Sequence, residues 1–197
     1  FYDVKSFYTS SLFGSHEVDT SSLDWTATDY GNFQVYAVKE QENELSTNAY
    51  FKLVSNGFGP TIELTSSIFS DVYNNTKWNF AVSLKPVNDD LLDIASGSIA
   101  QSANYVLQFR GFNSTLDIVE NEFSLTASIN VASASLALNT NKRLYIGAHR
   151  QNYTGSALTN SDVKISSVRY WLDYLDGETI KNHSFDASSN GATRPYR

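Results

Sequence analysis

Hydrophobic and polar residues alternate with a period of two along much of this chain. Trp78, Phe80, Val82 and Leu84 fall on one side of an extended segment, while Asn79, Ala81, Ser83 and Lys85 fall on the other. A half-buried β-strand requires that pattern, because successive side chains leave a strand on opposite faces. Phe123, Leu125, Ala127 and Ile129 alternate in the same way with Ser124, Thr126 and Ser128. Further strands are predicted over 33–39, 49–55, 61–64, 105–112, 133–138, 143–148 and 163–172. Turn-forming clusters separate them: Asn56-Gly57, Asn74-Asn75, Asn88-Asp89-Asp90, Asn139-Thr140-Asn141 and Asn160-Ser161-Asp162. Many short strands punctuated in this way predict an all-β protein, an antiparallel β-sandwich. The aromatic-rich opening, residues 1–13, is either a strand packing on that sandwich or the tail of a preceding module.

Two places break the alternation. In the last predicted strand Val163 and Ile165 share one parity, whereas Val168 and Tyr170 share the other. An even period cannot bring both sets to one face, so a bulge is expected near Ser166-Ser167, or burial on both faces there. The second is Asp176-Gly177-Glu178-Thr179-Ile180-Lys181-Asn182-His183, the best helix signal in the chain. Asp176 suits an N-cap, Glu178 suits the positive end of the helix dipole, and Ile180 is placed to pin the turn to a sheet. One or two turns are expected.

Composition narrows the function classes. With 197 residues, 41% of them hydrophobic and 18% charged, the chain has material for one large core. Ser, Thr and Asn make up roughly a third of it, as in turn-rich β proteins. The net charge of −7, with 14 scattered basic residues, argues against a nucleic-acid surface, which needs clustered Lys and Arg. Disulfides, thiolate metal sites and cysteine nucleophiles are excluded because there is no cysteine. No apolar run approaches the ~20 residues of a membrane-spanning helix. The chain does not begin with methionine, which fits a piece of a longer protein.

Candidate chemistry is sparse. Glycoside hydrolysis needs two carboxylates flanking the scissile bond, and the nearest pair is Glu17 and Asp19. They sit in a turn-rich stretch, and a solvated edge pair is the ordinary reading. No G-x-S-x-G elbow occurs; Ser96-Gly97-Ser98 does not fit it. His16, His149 and His183 show no metal-ligand spacing, and His149 reads as a strand-end residue hydrogen-bonded locally. Asn88, Asp89, Asp90 and Asp93 offer oxygen ligands without the spacing of a defined calcium loop. Sugars are bound by an exposed aromatic plate with amide and charged groups beside it. The loop Arg150-Gln151-Asn152-Tyr153-Thr154-Gly155 brings those types together, and Trp25 with Tyr30 is a second such pair. Arg150, Asn152 and Tyr153 are therefore the candidate ligand-binding residues, while Trp78 and Trp171 read as core. Asn-x-Ser/Thr sequons stand at Asn74, Asn113, Asn152 and Asn182.

The segments LYIGAHR and NYTG, followed by VKISSVRYWLDYLDGETI, resemble the final third of laminin-G-like, concanavalin-A-like domains. In that pattern a strand ending in glycine leads through an aromatic-glycine loop to a final strand of the type I-x-x-V-R-x-aromatic. Ile165, Val168, Arg169 and Tyr170 stand at those strand positions, and Asp176, Glu178 and Ile180 at those of a closing helix. The segment TKWNFAVSLKP is similar to the family's central tryptophan strand. Two positions depart from the family: its acidic pair before the Val-Arg step is Ser166-Ser167 here, and no calcium-binding aspartate pattern is matched. Over roughly residues 60–197 the chain looks like laminin-G-like modules embedded in large structural proteins of marine viruses, tailed phages in particular.

The resemblance implies a jelly-roll β-sandwich over residues 1–188 with one short C-terminal helix, and a linker over 189–197. It also implies that Tyr153 packs beneath its loop. The expected role is a non-enzymatic virion module, without cofactor or metal, working in assembly with other virion proteins or in contact with host-surface glycans. Such a module would belong to a longer, oligomeric protein. The alternatives are an extracellular lectin-like module of a cellular protein and a glycosidase relative.

Overall fold

The computed structural model describes residues 7–18, 31–42, 45–56, 58, 61–87, 104–150, 156–172, 174–186 and 188. Among these residues ten strands run in the order β1 (Thr9–Glu17), β2 (Asn32–Lys39), β3 (Ala49–Asn56), β4 (Ile62–Thr65), β5 (Trp78–Pro86), β6 (Tyr105–Thr115), β7 (Ile118–Ile129), β8 (Lys142–Ile146), β9 (His149–Arg150) and β10 (Ala157–Thr159). Helix α1 (Val131–Asn139) lies between β7 and β8, and α2 (Gly177–Phe185) follows the strands. The strands form a five-stranded sheet of order β4-β3-β2-β1-β8, a three-stranded sheet of order β5-β6-β7, and the small β9–β10 pair. Every pairing is antiparallel.

The two larger sheets share one core, as a sandwich requires. Leu12, Val35, Ala37, Phe51 and Leu53 from the five-stranded sheet meet Leu107, Phe109 and Ile129 from the three-stranded one. Phe51 is the central bridge. Its ring lies 4.6 Å from those of both Trp78 and Phe80 and 5.8 Å from that of Phe123. The alternation in β5 and β7 thus does what the sequence predicts: Phe80, Val82, Leu125 and Ala127 pack against the core.

Two predicted strands are absent. Residues 133–138 belong to α1, not to a strand. Alanine and leucine favour helix, and the Asn130 side chain caps it by accepting a 2.8 Å hydrogen bond from the Ser133 N–H. Ala134 and Ala137, three apart, turn one small face to the core, while Leu136 and Leu138 are exposed. Among the described residues there are therefore two helices, where one is expected from the sequence.

Residues 163–172 make no regular strand either. The chain leaves the extended region at Ser167, whose φ is 56°, at the place where the hydrophobic phase changes. Ile165 is half-buried, but Val168, Tyr170 and Leu172 are exposed, the last at 96%. The phase conflict is relieved by giving up the strand rather than by a bulge within it. Trp171, expected in the core, lies at the surface and stacks on His183 with ring centroids 5.3 Å apart.

Helix α2 forms with the expected cap, Asp176 Oδ1 accepting from the Thr179 N–H at 2.8 Å. It runs for nine residues, slightly longer than predicted. Its buried side chains are Thr179 and His183, while Ile180 is only half-buried. The helix covers the face of the three-stranded sheet that points away from the core. Lys181 reaches Glu122 of β7 at 2.6 Å, and Gly177 seats directly on the Arg110 guanidinium of β6.

Candidate functional site

Strand β1 lies between β2 and β8 and is buried on both faces over most of its length. One face belongs to the core. Register defines the other. Val35 and Ala37 point into the core, so Gln34 and Tyr36 point away from it, and Gly14 and Ser11 stand opposite them on β1. Leu12 is the extra residue of a bulge between Ser11 and Phe13, which keeps Leu12 in the core without turning its neighbours over.

On this outer face β1 carries a polar seam. His16 Nε2 and Gln34 Oε1 are 3.1 Å apart, and Gln34 Nε2 donates to Ser11 Oγ at 2.6 Å. Gly14 is required beneath that amide, because a Cβ there would lie 1.9 Å from Gln34 Oε1 and 2.6 Å from the Phe33 carbonyl oxygen. Rings enclose the seam. Tyr145 of β8 packs on His16 at 4.7 Å between centroids, and His149 stands 5.8 Å from both His16 and Tyr36. His16 and His149 are 3% and 2% exposed.

His149 opens β9, so the seam is also where the β9–β10 hairpin seats. Strand β8 is followed by Gly147, whose φ of +73° favours glycine and whose N–H donates to the Leu12 carbonyl at 2.8 Å. Past β10 the chain returns to β1, where Ser11 N–H donates to the Asn160 carbonyl at 3.0 Å and Ser10 Oγ donates to Asp162. Arg150, the neighbour of the buried His149, is exposed and pairs with Ala157. One hairpin thus carries a buried anchor and an exposed cation side by side.

Burial sets the titrations around this region. The Tyr36 phenol is pushed up to about 12 by desolvation. Tyr73 is likewise pushed up to about 12, mainly by burial and with help from the Asp162 charge, against the hydrogen bond it gives Ser10. Lys142 is pushed down to about 8 by burial, with Glu17 opposing. Glu17 stands opposite Lys142 in the β1–β8 register and is half-buried. It is therefore a strand-end group facing a cation, not the solvated carboxylate that the sequence suggests.

Of the sequence-derived candidates, Arg150 is exposed at the hairpin. Asn152 and Tyr153 lie outside the described residues, as do Asp19, Trp25, Tyr30 and the acidic positions Asn88, Asp89, Asp90 and Asp93. The three histidines divide: His16 and His149 meet in the seam, and His183 sits on α2 against Trp171. Among the described residues no three His, Asp or Glu side chains converge as metal ligands, and no helix is long and apolar enough to cross a membrane. Ser11 is held by an amide rather than by an imidazole, so the seam does not assemble a serine–histidine nucleophile. Three sequons fall on described residues. Asn74 is exposed on a turn and Asn182 on α2, whereas Asn113 is buried, hydrogen-bonded to Asn121 and Glu120.

Sequence reasoning missed the seam because its members come from four separate strands. The only local signal is that Gln34 and Tyr36 place polar and aromatic groups at β2 positions out of phase with Val35 and Ala37. No family model matches the chain, and no curated protein or solved structure matches it.

Proposed function

We propose that this chain is a non-enzymatic binding module of the laminin-G-like kind, displayed on a larger virion protein and making contact with host-surface glycans through the β9–β10 hairpin. The observation that carries this reading is the hairpin itself. Its first residue, His149, is locked in the seam, while Arg150 beside it is presented to solvent. A rigid scaffold that presents an exposed polar group beside a buried anchor suits recognition on a β-sandwich. The sequence from Arg150 onward supplies cationic, amide and aromatic groups in Arg150, Asn152 and Tyr153, the types that grip a sugar's hydroxyl rim and apolar face. The virion setting is supported by the resemblance of KWNFAVSLKP, RLYIGAHRQNYTG and SDVKISSVRYW to modules of viral structural proteins. That residues 163–172 make no regular strand counts against the last of these three.

Titrating the chain with a panel of host-type oligosaccharides while following its amide resonances tests the proposal. Binding is expected to shift Arg150, Ala157 and Leu158. Arg150→Ala is expected to weaken it by roughly 10- to 100-fold, the worth of a hydrogen bond to a charged group. A blank panel rejects glycan contact and leaves assembly with other virion proteins, which co-purification with particles would test. The exposed sequon at Asn74 favours the second reading, an extracellular lectin-like module of a cellular protein. Glycosylation found at Asn74 in the native protein would select it.

A further inference from the structure

Two imidazoles share one buried pocket, 5.8 Å apart between ring centroids. Histidine is the side chain whose charge ordinarily changes between about pH 5 and 8. His16 lies on β1, in the middle of the five-stranded sheet, and His149 lies on the hairpin that rests on it. We propose that His16 and His149 form an acid-sensitive latch, which holds the β9–β10 hairpin against the sheet when both rings are neutral and releases it when both are protonated.

The surroundings decide the direction. Tyr36 faces the pair from β2, and Tyr145 faces it from β8. Arg143 of β8 stands opposite His16 in the register, with Glu17 and Lys142 paired one step further on. The hairpin adds the cation Arg150 beside His149, and β10, with Ala157, Leu158 and Thr159, adds no ionisable group. On the stretch that follows, Asp162 is engaged by Ser10. Among the described residues, then, the charged groups nearest the pair in register and sequence include three cations, Arg143, Lys142 and Arg150, and two carboxylates, Glu17 and Asp162. Two imidazolium ions buried in that seam repel each other and lose water that the open hairpin restores. The open form takes up more protons than the closed one, so falling pH drives opening.

The moving part is small. Among the described residues β9 and β10 pair at two positions, with a register shift between them, and β1 holds their flanks through Gly147 and Asn160. An element with so few bonds opens at a lower free energy than the sheet beneath it. The latch concerns conformation, so it stands or falls independently of what the loop binds.

Backbone hydrogen exchange of the whole chain, compared at about pH 7.5 and about pH 5 after correction for intrinsic rates, tests it. The Arg150, Ala157 and Thr159 amides are expected to lose at least roughly tenfold protection at the lower pH, while those of Val35, Phe51 and Leu53 keep theirs. His149→Phe retains a ring between Tyr36 and His16 without a proton site, and should abolish that loss. Unchanged hairpin protection in the wild type, a parallel loss in hairpin and core, or a surviving response in His149→Phe each overturns the proposal. If the variant does not fold, the wild-type imidazole resonances decide. Protonation of His16 and His149 must coincide with the loss of hairpin protection, and rings that titrate under a protected hairpin refute the latch.

Discussion

Replacing Gly14 with alanine should destabilise the protein through one identified collision. The new methyl carbon would lie 1.9 Å from Gln34 Oε1, 2.7 Å from its Cδ and 2.6 Å from the Phe33 carbonyl oxygen. The amide can swing away; the carbonyl belongs to the backbone of β2 and cannot without disturbing the pairing of β1 with β2. Displacing Gln34 breaks its contacts with His16 and Ser11, each worth about 1 kcal/mol net, with about 1–3 kcal/mol for a polar group left buried and unsatisfied. Against this, alanine restricts the unfolded chain and gains about 0.4–1 kcal/mol. The balance is a loss of about 2–4 kcal/mol, which lowers a urea midpoint by roughly 1–2 M at an m-value of about 2 kcal/mol/M. The Gln34→Ala background removes the first collision and keeps the second. There Gly14→Ala should cost less by about 1–2 kcal/mol, a coupling readable in a double-mutant cycle. Equal costs in both backgrounds, or a single-variant cost below about 0.5 kcal/mol, would mean that Gln34 does not lie over Gly14.

Other expectations follow from the same geometry. In alkali, Lys142 at about 8 in the folded state sheds its proton before the unfolded chain does, so stability should rise from about pH 8 toward 10. Tyr36 and Tyr73, held at about 12, then cost stability as pH climbs from about 10 through 12. Each step is of order 1 kcal/mol after solvent screening. Unfolding at three pH values should trace the rise and fall, with Lys142→Met removing the rise; a rise that persists in that variant would count against the assignment. Leu116 and Asp117 turn β6 into β7 with φ of 49° and 64°, and Leu116 is 91% exposed. Because both positions favour Asn-Gly, the double substitution Leu116→Asn/Asp117→Gly should stabilise by about 1 kcal/mol, seen as a higher melting temperature. Asp176→Ala should cost about 1 kcal/mol by removing the α2 cap. An unchanged denaturation midpoint would show that the helix is held by its sheet contacts alone.

Much of the sandwich was legible because the half-buried strands announce themselves by parity. The alternation from Trp78 to Leu84 and from Phe123 to Ile129 predicted both the strands and the face each buries. Parity misled where helix and strand patterns overlap. Ala134, Leu136 and Leu138 alternate like a strand, yet the core receives Ala134 and Ala137, and Asn130 three residues before Ser133 was the overlooked cap. At Ser166-Ser167 the sequence located the conflict correctly but not its outcome, since a phase change does not say whether the strand bends or dissolves. The His16–Gln34–His149 seam could not be read locally. It depends on the β1–β2 register, on the bulge at Leu12, and on a hairpin that arrives from the far end of the chain.

The claim that the anchored hairpin is the recognition element is tested most directly by mapping where a ligand touches the folded chain. In an amide-resonance titration with the oligosaccharide panel, the account predicts perturbations centred on Arg150, Ala157 and Leu158 that fade in Arg150→Ala, with Asp176 and the α2 amides unmoved. Perturbations centred instead on Glu122, Lys181 and the α2 face, or undiminished binding by Arg150→Ala, would contradict it.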